Sequence, residues 1–261
     1  MKETTEKSRK PVFRIPVQRV IDKLDSYLDR KEYAEAERHL KYWLEEAEAG
    51  GDLQGKLTML NEMIGYYRKQ GRQEEGMEAI REALALAEQM EIEKTPSFAT
   101  TLLNAATGYK AFGMAEQAMP LYRKARDIYE DTLDENDSRL GGLFNNMALA
   151  LTDLGEYREA RECYEKAIRV MAAQECGEAE MAISYCNLAD LTAAEKGLEA
   201  GETEISGYLT EAEKLLDTQK LPRNGYYAYV CEKCAPVFGY YGFFLAEQKL
   251  MERAKEIYER A

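Results

Sequence analysis

Along most of the chain, apolar residues recur three and four positions apart with charged residues between them, the pattern of helices that bury one face. Val20, Leu24 and Tyr27 mark a first helix over 17–30. Lys31-Glu32-Tyr33 turns the chain, and Ala36, Leu40 and Trp43 face inward from a second helix that Gly50-Gly51-Asp52 stops. Leu57, Leu60, Ile64 and Tyr67 repeat the first pattern over 53–70. Gly71 stands where a helix C′ residue takes positive φ without steric cost. Gly76, Ile80 and Ala83 then carry a return helix over 75–90, and Pro96 with Ser97 opens a third pair.

From Ser97 to Ala173 the pattern becomes a repeat. Residues 101–106 align with 143–148, Gly113 with Gly155, Ala118 with Ala160, Tyr122 with Tyr164 and Ala125 with Ala167, always 42 residues apart. One fixed period of this size identifies a stacked array in which each helix pair buries a face that it cannot cover alone. Gly113 and Gly155 are the helix–helix turns, and Pro120 sits early in its return helix, where a lost hydrogen bond costs least. The polar connector 131–138 reads as a surface loop. Tyr185, Asn187, Leu188 and Ala189 continue the series over 181–194.

Beyond residue 195 the period loosens. The stretch 196–202 predicts a lengthened turn, followed by a return helix carrying Ile205, Leu209, Ala212 and Leu215. Residues 224–248 read as one long aromatic helix that Pro236 should kink or split. Its aromatics, Tyr226 to Phe244, fit a hydrophobic patch or a dimer face, or more simply core. The expected organisation is a basic arm over 1–16, flexible at least to Lys10, a regular array over 17–195 and divergent helices over 196–261.

Composition narrows the function. A net charge of −13 leaves no basic face for nucleic acid or anionic membrane. No apolar run is long enough to span a membrane, and the charged start is not a signal peptide. Five cysteines, an odd set in a long chain, point to free thiols in a reducing cytoplasm. With a single histidine, His39, and no phosphate loop, nucleophile elbow or paired-carboxylate motif, no enzyme and no cofactor is expected. Cys231 and Cys234 have the spacing of half a zinc site without its other half, so no metal is expected either.

Small residues at 76, 118 and 160, with bulky ones four positions later, let paired helices approach closely. Segments 118–125, 143–148 and 185–189 resemble tetratricopeptide repeats, specifically the long-period subtype of kinesin light chains and their bacterial relatives. The resemblance implies an all-α, right-handed α-solenoid of about six antiparallel helix pairs, whose first helices line a concave groove that binds a protein or peptide segment. It places Asn61, Arg68 and Lys69 on that groove, then Asn104, Thr107 and Lys110, then Asn145, Asn146, Thr152 and Asp153, and last Asn187 and Asp190. Thr58, Thr100, Leu103, Leu149, Ile183 and Cys186 fall on the same positions.

Asn104, Asn146 and Asn187 occupy one equivalent site. An amide both donates and accepts, so a ladder of them can pair with an extended peptide backbone, or with the neighbouring repeat. Arg68, Lys69 and Lys110 are basic where Asp153 and Asp190 are acidic, which would suit a peptide of opposite polarity if these are not simply solvated charges. Two other readings remain: a peptide-sensing signalling regulator without its own DNA-binding domain, and a homo-oligomerising module that dimerises through the aromatic C-terminal region.

Overall fold

A computed structural model of the chain describes residues 13–260; the stretch to Lys10 expected to be flexible lies outside them. The described residues form twelve α-helices, with no strand among them. In chain order they are α1 (Val17–Asp29), α2 (Tyr33–Gly50), α3 (Leu53–Lys69), α4 (Gln73–Gln89), α5 (Pro96–Ala111) and α6 (Ala115–Thr132). There follow α7 (Ser138–Asp153), α8 (Tyr157–Ala172), α9 (Glu178–Lys196), α10 (Leu198–Asp217), α11 (Gly225–Tyr240) and α12 (Phe244–Tyr258). The return helices α4, α6 and α8 begin at Gln73, Ala115 and Tyr157, two steps of 42 residues. The chain divides after Gly113 into two compact units, α1 to α5 and α6 to α12.

Within the first unit each helix packs on the next, and α3 also packs on α5. Within the second, α7, α9 and α11 pack in series, while α8, α10 and α12 lie against α7, α9 and α11. This is the neighbour-on-neighbour stacking of a helical solenoid. Four of the turns from first to second helix share one form. The amide after the turn bonds back to a carbonyl five residues earlier: Glu32 to Tyr27, Arg72 to Tyr67, Glu156 to Leu151 and Phe243 to Phe238. The residue before it takes positive φ, at Gly71 (68°), Gly155 (75°) and Gly242 (84°), and at Lys31 (58°) in the first pair. These turns close each helix with the orphan carbonyls satisfied.

The close-approach positions behave as their size requires. Ala118 and Ala160 are wholly buried, and Tyr122 and Tyr164 fill the space four residues on. Each such ring removes on the order of 200 Å² from water, worth several kcal/mol at about 25 cal/mol per Å². At Gly76 a Cβ would lie 2.7 Å from the tip of the Phe112 ring, so a larger residue would have to displace that ring.

The C-terminal part departs from the sequence expectation in three places. Gly197 alone links α9 to α10, so no lengthened turn exists; Gly201 is buried inside α10. The 224–248 segment does divide, but at residues 241–243 around Gly242, while Pro236 stays inside α11. Leu216, rather than Leu215, is the fully buried end of the α10 stripe.

Residues 13–16 run beside the α2–α3 junction. The Phe13 amide donates to the Gly50 carbonyl (3.0 Å). The Ile15 amide donates to Asp52 Oδ2 (3.0 Å), and Asp52 Oδ1 caps α3 by accepting from the Gly55 amide (3.0 Å).

Candidate functional site

The first helices each present a half-exposed polar stripe, and the two units repeat one arrangement on it. In the first unit Asn61 on α3 accepts from Asn104 Nδ2 on α5 (2.8 Å) and donates to Thr101 Oγ1 (3.1 Å) and to the Leu57 carbonyl (2.9 Å). In the second, Asn145 on α7 accepts from Asn187 Nδ2 (3.0 Å) and from Ser184 Oγ (3.3 Å), both on α9. The amides therefore clip neighbouring repeats together. Asn104 pairs with Asn61 and Asn187 with Asn145, so the equivalent positions 104, 146 and 187 do not form one continuous ladder. Capacity remains nonetheless. Asn104 and Asn187 each keep a carbonyl oxygen, and half-exposed Asn146 makes no hydrogen bond among the described residues.

The hydroxyls around these amides are turned inward. Thr58, Thr100, Thr107 and Thr152 donate to the carbonyls of Gln54, Pro96, Leu103 and Ala148 (2.8–3.0 Å). Leu103 and Leu149 are half-exposed on the same stripes. Ile183 and Cys186 are buried, which corrects their expected place on the surface.

Charge differs between the two faces. Arg68, Lys69 and Lys110 all sit in the last turns of α3 and α5. The first face is not purely basic: burial and the Asp25 carboxylate raise the Glu62 pKa, and Lys69 opposes them. Asp153 and Asp190 belong to the α7 and α9 side of the second unit. Asp190 accepts from the Tyr241 hydroxyl (2.9 Å), and desolvation raises its carboxyl despite that bond.

A cavity of about 180 Å³ opens between α7, α9 and α11. Asn145, Asn146 and Ser184 border it together with Tyr226, Tyr229 and Lys233 from α11. The Tyr226 hydroxyl donates to Glu180 (2.8 Å), which fixes that ring, while Lys233 pairs with no carboxylate among the described residues. Sequence reasoning missed the α11 contribution. The signal was present, because one further step of 42 from Asn187 lands on Tyr229. The aromatic run proves mixed: Tyr227 and Phe238 are core, whereas Tyr226, Tyr229, Tyr240 and Phe244 are exposed.

Cys231 and Cys234 both point into the core, and no cluster of metal-ligating side chains occurs among the described residues. Contact with Cys234 and burial push the Cys186 thiol up, and burial raises that of Cys231, so neither tends towards thiolate. No helix among the described residues is long and apolar enough to cross a membrane.

The tetratricopeptide repeat family model matches residues 142–177, which carry Asn145, Asn146, the Gly155 turn and the α8 packing positions. The chain carries a tetratricopeptide repeat over that segment. Its fold is shared with a kinesin-light-chain-like protein of Podosopora anserina built from nearly identical TPR-like repeats. That match has 19% identity and a TM-score of 0.57, over 77% of this chain and 94% of the other. It is also shared with BtubC (BKLC) from P. vanneervenii, at 17% identity and a TM-score of 0.53 over 94% and 91% of the two chains. No curated protein matches the chain. Tetratricopeptide repeats are, as a class, modules for protein–protein interaction, and the likeness to the solved structures carries the fold alone.

Proposed function

We propose that the chain is a binding scaffold that holds an extended protein or peptide segment along its first-helix faces. The observation that carries this reading is the paired amide arrangement. Asn61 with Asn104, and Asn145 with Asn187, are fixed by one another in the two units, so their remaining polar atoms are held in place before a ligand arrives. Preorganised amides can meet a peptide backbone without first losing side-chain entropy. Half-exposed Asn146 adds a donor and an acceptor beside them. Arg68 and Lys69 favour an acidic stretch of partner at the first face, and Asp190 a basic one at the second.

Affinity capture from the source cell, with wild-type protein and an Asn104→Ala/Asn146→Ala variant as parallel baits, tests this reading. Partners retained by wild type should be lost or weakened at least about tenfold with the variant, at an unchanged far-ultraviolet circular dichroism spectrum. An identical captured set would refute it.

A further inference from the structure

The second unit carries another concave surface, away from the amide pairs. Two clefts of about 570 Å³ each adjoin there, one between the start of α10 and the α11–α12 turn, the other between the end of α9 and α11. Leu198, Tyr240 and Tyr241 line both, so the two form one surface. Its apolar residues are displayed rather than buried: Tyr240 is 72% exposed and Leu198 54%. Opposite them stand Ala193, Ala194 and Gly197, which keep the floor open.

The tyrosines are held in place. Tyr241 is anchored through its hydroxyl to Asp190 (2.9 Å), and Tyr240 meets it edge-on at 4.9 Å between centroids. A fixed, exposed aromatic beside an aliphatic residue is the usual make-up of an energetic anchor point.

Charge selects the occupant. Asp190, Glu199 and Glu202 border the surface, and no lysine, arginine or histidine lines either cleft. Lys196, next to it in sequence, is engaged by Glu204. The half positive charge at the start of α10 offsets only part of three carboxylates. Each cleft is far larger than the roughly 150 Å³ that takes a benzene-sized group, so two or three side chains fit.

We infer that this surface docks a short basic–apolar segment of a partner protein. A leucine- or phenylalanine-sized anchor packs against Tyr240 and Leu198, and arginine or lysine on either side faces Asp190, Glu199 and Glu202. An arginine can in addition stack on the open Tyr240 ring. The surface shares only Asp190 with the proposed peptide-binding faces, and the inference does not depend on that reading.

Fluorescence anisotropy on the full chain tests it with three labelled decapeptides. The first alternates leucine or phenylalanine with arginine, the second has serine for every apolar residue, and the third has glutamate for every arginine. The first should bind at least about tenfold more tightly than either control. A Leu198→Ser/Tyr240→Ser variant, changed only at exposed positions, should lose that preference, and Asn104→Ala/Asn146→Ala should retain it. Equal binding of the serine peptide would reduce the effect to bulk charge on an acidic protein and overturn the inference. So would absent binding, binding indifferent to Leu198→Ser/Tyr240→Ser, or loss in the asparagine variant. A dimer in sedimentation equilibrium that Tyr240→Ser dissociates would likewise overturn it, by giving the surface to a second copy.

Discussion

Asp52 offers the sharpest test of how the first unit is held together. It is buried, and its two carboxylate oxygens serve two separate backbone donors: Oδ1 takes the Gly55 amide that would otherwise be orphaned at the start of α3, and Oδ2 takes the Ile15 amide. Gly55 itself leaves room for this, since a Cβ there would lie 2.8 Å from the Ile15 side chain. Replacing Asp52 by Ala removes a helix cap, at about 1 kcal/mol. It also strands the buried Ile15 amide, at about 1–3 kcal/mol. The expected loss is therefore roughly 2–4 kcal/mol, a large fraction of the stability of an ordinary domain. Asp52→Asn keeps one acceptor of the two, so it should cost roughly 1–3 kcal/mol. Urea unfolding gives the size of the effect, and amide hydrogen exchange gives its location. Ile15 should lose protection in both variants, and Gly55 only in Asp52→Ala. An Asp52→Ala protein within about 0.5 kcal/mol of wild type, or one with Ile15 still protected, would refute the reasoning.

Three further outcomes follow from the same contacts. Lys31 occupies the positive-φ turn position that glycine fills at 71, 155 and 242, so Lys31→Gly should stabilise by up to about 1 kcal/mol and Gly71→Ala should destabilise by about as much, both read from chemical unfolding. Ala160 is wholly buried at a close-approach position, so Ala160→Leu should cost about 1–3 kcal/mol by overpacking, visible as a lowered thermal midpoint; an unchanged midpoint would mean that α8 does not pack closely there. Burial alone would raise the Glu37 carboxyl, but bonds from Lys41 and Arg72 outweigh it and bring it from 4.5 down to about 2. A carboxyl depressed on folding contributes stability above pH 4.5 that is lost as pH falls towards 2; Glu37→Gln should flatten that acid limb of an unfolding-against-pH series, and a limb of undiminished slope would count against the pairing.

The regular parts of the fold were legible because their signals are local and periodic. The 42-residue offset set the common register of α6 and α8, while α4, expected from residue 75, begins at Gln73; the turn glycines were readable from the left-handed geometry that they alone adopt freely. The α11–α12 break was misplaced for an instructive reason. Pro236 is the stronger textual signal, yet a helix surface accommodates it, whereas Gly242 ends α11 through the same turn used at Gly71 and Gly155. Pairing of the amides was not legible at all. Asn104 and Asn146 share a sequence register, but their bonds depend on what the neighbouring helix offers: Asn61 stands opposite Asn104, and Asn145 opposite Asn187. Exposure of Tyr226 and Tyr229 beside buried Tyr227 likewise depends on how α11 rotates against α9, which composition does not encode.

The central claim, that the first-helix faces contact the partner, is tested most directly by site-specific photo-crosslinking. A photoreactive residue is placed at Thr58 or Leu149, half-exposed on α3 and α7, and in parallel at Arg81 or Arg158, exposed on the return helices α4 and α8. After capture in the source cell, crosslinked partner should appear from positions 58 and 149 and not from 81 and 158. Crosslinks confined to 81 and 158 would place the partner on the opposite helices and contradict the account.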